Sequence, residues 1–112
     1  FPEKIIAAAD NACTYVSKKN EWALLLALSA VQNPDEAMSL LEIIESRIQA
    51  AISLKSGISS SENEAIIALS AVSYDSILKI KDTIEASREA LNRNINIKLF
   101  VNCLCSELRA CI

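Results

Sequence analysis

Between Asn33 and Gly57 the chain contains no glycine, and its one proline, Pro34, stands at the very start. A stretch this long without a breaker, opened by a capping residue and closed by a glycine, leaves little choice but a long helix. Asn33 is suited to cap it, Pro34 fits the first turn, and Asp35 and Glu36 complement the helix dipole. Gly57 provides a left-handed stop. The helix predicted from these signals runs from Pro34 to Ser56, roughly 23 residues or about 34 Å. Met38, Leu41, Ile44, Ile48 and Ile52 recur at three- and four-residue steps, and Leu40, Ile43, Ala51 and Leu54 widen that stripe.

The rest of the chain follows the same rule. One glycine and two prolines in 112 residues are too few for many strands joined by tight turns. Helical periodicity predicts a first helix over about Pro2–Lys18, with Ile5, Ala8, Ala9, Ala12 and Val16 on one face. A second, Glu21–Val31, is capped by Asn20. It is apolar nearly all round, so it is expected to be central, with Trp22 read as a core residue in preference to the alternative of an interface anchor. In the serine run before the fourth helix, Ser61 and Glu64 read as a capping box, with the helix covering about Glu62–Val72. A fifth helix from Ser73 to about Leu91 places Ile77, Ile80 and Ile84 opposite charged residues. The last runs from about Ile97 to Ile112. The fold class is therefore all-α, a compact five- or six-helix bundle in one domain over residues 1–112.

The composition excludes several kinds of chemistry. There is no histidine, so no His-based triad or His metal site is available. A single glycine rules out Gly-rich phosphate loops. Glu42 with Glu45 and Asp82 with Glu85 read as solvated faces rather than catalytic or metal-binding pairs. Four cysteines allow three pairings. Cys103 and Cys105, though, point about 200° apart on a helix and cannot bridge each other. Their spacing with Cys111 does not match a zinc site, and reduced thiols filling the core is the reading adopted. The net charge of −3 and pI near 4.9 disfavour holding nucleic acid by phosphate neutralisation. No segment is apolar enough to span a membrane. No catalysis, cofactor or metal is expected, and the location expected is the cytoplasm.

Asparagines at 92, 94 and 96 separate the last two helices. Asn92 or Asn94 is expected to take the left-handed conformation that ends the fifth helix. Asn96 is expected to cap the sixth.

From the long helix onward, the chain resembles the C-terminal collar domain of bacterial DNA polymerase III clamp-loader subunits, most nearly the delta-prime type. The resemblance rests on Leu91, Asn94, Asn96, Leu99, Leu104 and Leu108, and on the Ser53–Gly57 turn "SLKSG". It extends over about Pro34–Leu108. It implies a domain that holds a clamp-loader pentamer together for sliding-clamp loading in DNA replication, with ATPase chemistry carried by upstream AAA+-type domains. The start at Phe1, without an initiator methionine, is what a piece of such a longer subunit would have. The partners implied are other clamp-loader subunits, delta and tau/gamma, met through helical packing, with no direct contact to nucleic acid or membrane. Self-association of the isolated chain is a further possibility. Ile95, Ile97, Phe100, Val101, Leu104 and Leu108 are the candidate interface anchors; any one of them taken singly reads as core, but at least two of the set are expected at an interface. A delta or tau/gamma collar, or an independent small helical interaction module, are the alternatives.

Overall fold

The computed structural model describes residues 1–93 and 96–112. It contains α1 (Glu3–Ser17), α2 (Glu21–Leu28), α3 (Pro34–Lys55), α4 (Glu64–Ser70), α5 (Tyr74–Leu91) and α6 (Ile97–Ala110), with no strand among the described residues. The fold is an all-helical bundle.

Most helix starts are fixed by a side-chain oxygen that accepts from an otherwise unpaired backbone N–H. Asn20 Oδ1 accepts from Ala23 N, Asn33 Oδ1 from Glu36 N, Ser73 Oγ from Ser76 N and Asn96 Oδ1 from Leu99 N, at 2.9–3.3 Å. At α4 the capping residue is Asn63 rather than Ser61. The Asn63 carboxamide reaches both Ala65 N at 2.8 Å and Ile66 N at 3.2 Å, which places Glu64 at the first helical position. A capping box needs its glutamate two residues deeper. Ser61 instead accepts from Asn63 N at 3.1 Å and shapes the turn before the cap.

The helix ends are equally specific. After α3, Gly57 has φ +77°, Gly57 N–H bonds to Leu54 O and Ile58 N–H to Ser53 O. This is the paired bonding of a Schellman stop. The same pair of bonds ends α1, from Lys19 N–H to Val16 O and from Asn20 N–H to Tyr15 O, but here a lysine holds the left-handed position at φ +58°. The end of α5 is different: Asn92 is right-handed, at φ −71°. The left-handed role expected of it is not taken: Asn92 is the right-handed C-cap residue, the position that Lys18 and Ser56 hold at the ends of α1 and α3. Asn94, the other residue considered for that role, lies outside the described residues.

α1 and α3 form the middle of the bundle. α1 packs on α2, α3 and α4, α3 packs on α1, α4 and α5, and α6 closes the molecule by lying against α2 and α5. Ile5, Leu40, Leu41, Ile77, Ile84 and Leu104 are among the fully buried side chains. Ion pairs tie neighbouring helices at the edge of this core. Arg47 Nε donates to Asp10 Oδ1 at 2.7 Å (α3 to α1), Arg88 meets Glu45 at 3.1 Å (α5 to α3), and Arg109 meets Glu21 at 2.8 Å (α6 to α2). The radius of gyration, 12.9 Å, is close to the roughly 13 Å expected of a single globule this long.

Candidate interaction surface

The six residues expected to anchor an interface fall mostly inside the molecule. Phe100, Val101, Leu104 and Leu108 are buried against the rest of the chain. This corrects the assignment of Phe100, Leu104 and Leu108 as anchors, since they are turned into the core; Val101, though buried, still forms part of a groove wall. The reason lies in the angular pattern of α6. At about 100° per residue, Phe100, Val101, Leu104, Cys105 and Leu108 form one stripe, which faces the core. Ile97, on the edge of that stripe, is half-buried. Ile95 lies outside the described residues. Of the large apolar residues on α6, Leu99 is the exposed one.

The exposed apolar surface is on α2. Trp22 is 70% exposed and Leu26 57%, whereas Leu24 and Leu28 are buried. Both the expected core tryptophan and the expected central helix are therefore corrected. α2 is only eight residues long and lies at the edge, against α1 and α6. Leu24 and Leu28 fill its inner face, so Trp22 and Leu26 point outward. No charged side chain occurs from Trp22 through Pro34. A sequence signal for this surface does exist: a short helix that is apolar all round, at the edge of a small core, must leave one side in water. Because it is apolar everywhere, its sequence does not say which side.

Beside this ridge lies a groove of about 510 Å³ between α2 and α6, with Leu25, Ser29, Val31, Ile97, Lys98 and Val101 among its walls. The helices run antiparallel here. Glu21, at the start of α2, meets Arg109 near the end of α6, while Leu25 and Ser29 face Val101 and Ile97 near its start. The floor is apolar, and Lys98 is the one charged side chain on the walls.

A second set of exposed apolar residues sits elsewhere, with Ile67 on α4 and Tyr74 and Leu78 one turn apart on α5. Tyr74 is held in place, its hydroxyl 2.9 Å from Ser56 Oγ and its ring beneath Lys55 Nζ at 5.1 Å.

Another cleft, about 400 Å³ between α3 and α5, is lined by Glu45, Gln49, Lys81, Glu85, Arg88 and Glu89. Its charges largely pair with each other: Arg88 with Glu45 and Glu42, and Lys81 with Glu85. Among the described residues, no group of Asp, Glu and Cys is arranged to hold a metal ion. Two of the buried thiols, Cys13 and Cys105, are tuned away from reactivity. Burial, reinforced by the Asp10 carboxylate, pushes Cys13 up to about 12, and burial also raises Cys105, next to Glu21. Thiols in such settings stay protonated at neutral pH and are poor nucleophiles and metal ligands. Cys103 is exposed. Glu36 is shifted down, chiefly by the hydrogen bond from Lys4 and then by the one from the Gln32 N–H, which keeps it ionised near the start of α3. No helix is long and apolar enough to cross a membrane, among the described residues.

No family model matches the chain, and comparison with curated proteins and with solved structures finds no relative.

Proposed function

We propose that this chain is a non-catalytic assembly module, and more specifically the collar domain of a clamp-loader subunit of the delta-prime type. It joins subunits by burying apolar helix surface against its neighbours. The observation that carries this reading is the uncharged face of α2, where folding leaves Trp22 and Leu26 in water. An exposed tryptophan beside an exposed leucine, with no charge between them, is the composition of an interface centre rather than of ordinary surface. Tyr74 and Leu78, exposed one turn apart on α5, add apolar surface on a different helix, which a second neighbour could use. The order of elements from α3 to α6, with Asn96 capping the last helix, agrees with the collar resemblance.

The test is reconstitution. Mixed with the delta and tau/gamma subunits of the same organism, the chain, or the longer subunit containing it, is expected to co-assemble in native mass measurements. Leu26→Lys should weaken that assembly and Leu78→Lys should also reduce it. Failure to co-assemble at tens of micromolar would overturn the collar assignment.

A further inference from the structure

The geometry points to a second copy of this chain as the occupant of the α2–α6 groove, in a two-fold dimer in which each copy's Trp22 enters the groove of the other. This names a partner for the face on which the proposed function rests. The face contains both halves of such an interface. The groove of about 510 Å³ opens along the C-terminal half of α2, beside Leu25, Ser29 and Val31. The projecting apolar side chains, Trp22 and Leu26, stand on the same helix, with Trp22 at its N-terminal end.

A two-fold axis through the middle of α2, between Leu25 and Leu26, sets the two α2 helices antiparallel. Trp22 and Ser29 lie about 5 Å on either side of that axis at 1.5 Å per residue. Trp22 of one copy is thereby brought opposite Ser29 of the other, over the mouth of its groove. The contact is isologous and closes after two copies. The charges agree with this register. Lys98 is the one charged residue on the groove walls, and Glu21 precedes Trp22 by one residue. The Glu21 side chain is 51% exposed even while paired with Arg109, so its carboxylate remains open to the incoming Lys98. Nothing acidic lies on the groove walls to repel it.

The area sets the strength. A tryptophan this exposed offers on the order of 150 Å². Together with Leu26 and the groove walls, it falls short of the ~800 Å² per copy of a standard interface. The dimer is accordingly weak, forming at roughly 10 µM to 1 mM.

Sedimentation equilibrium of the 112-residue chain, with reductant to keep Cys103 from bridging copies, tests the proposal. The mass is expected to rise from 12.2 kDa toward twice that value across this range. The emission of Trp22, the sole tryptophan, is expected to shift to the blue in step. Leu26→Lys should weaken the dimer by at least about 30-fold with an unchanged far-UV circular dichroism spectrum. If that variant misfolds, Leu26→Ser serves in its place. Lys98→Glu, which reverses the charge that meets Glu21, should weaken the dimer several-fold. A mass constant to about 1 mM, or a dimer indifferent to both substitutions at Leu26, overturns the proposal. A chain that stays monomeric yet joins clamp-loader subunits through Leu26 refutes the dimer alone; a dimer that joins no such subunit supports this pairing and refutes the collar assignment alone.

Discussion

Helices α2 and α6 lie side by side and use their apolar residues in opposite ways. α6 alternates apolar with polar and charged residues, and nearly all of its apolar stripe is inside the core. α2 has hardly a polar residue, yet half of its circumference faces water. Apolar content alone therefore says little about burial. Burial depends on whether the apolar residues share one direction, and on how much of the helix the remaining bundle can cover. A stripe such as that of α6 matches a single neighbouring surface, while an apolar cylinder such as α2 is satisfied only when it is surrounded.

That contrast is most easily broken by truncation. Leu104→Ala on α6 should cost about 2–5 kcal/mol of stability, whereas Leu26→Ala on α2 should stay within about 0.5 kcal/mol. Urea unfolding monitored by circular dichroism gives both values, and similar losses would mean that α2 is packed as deeply as α6. Within α2 itself, Leu28→Ala should cost about 2–5 kcal/mol, because Leu28 is fully buried while its near neighbour Leu26 is not. Equal effects at Leu26 and Leu28 would erase the inside–outside division of that helix.

The caps sharpen the comparison on a smaller scale. Asn96 starts α6 and Asn20 starts α2 in the same manner, so replacing either with alanine should cost about 1 kcal/mol. A melting temperature unmoved by Asn96→Ala would contradict its capping role. The smallest effect has the opposite sign. Lys19 occupies a left-handed position that favours glycine, so Lys19→Gly should stabilise the protein by up to about 1 kcal/mol. A loss of stability in thermal unfolding would show that the lysine side chain contributes more than its backbone strain removes.

The sequence was most legible where local chemistry decides the outcome. Asn33, Pro34 and Gly57 define α3 because each acts on its own backbone within a few atoms. Asn96 does the same for α6. Ser61 was harder to place because Asn63, two residues later, competes for the same unpaired N–H groups and reaches two of them. The end of α2 also moved inward. Ala30 and Val31 bond to carbonyls three residues back, and Ser29 Oγ bonds to Leu25 O at 2.7 Å, so the last turn tightens after Leu28. The candidate site was the least legible part. Which side of α2 faces water depends on α1 and α6, and an all-round apolar sequence carries no directional signal. The same tertiary dependence buried Phe100 and Val101, which the sequence alone left available to a partner.

Asn20 ends one helix and begins the next. Its N–H bonds to Tyr15 O to finish α1, its carbonyl accepts from Leu24 N, and its side chain accepts from Ala23 N. No slack residue separates the two helices, so they meet as a bracket rather than at a swivel. A load applied at Trp22 is passed directly into α1, whose Ile5 and Ala9 sit in the middle of the core. Anything that seizes α2 thus pulls on the whole bundle rather than on a flexible arm.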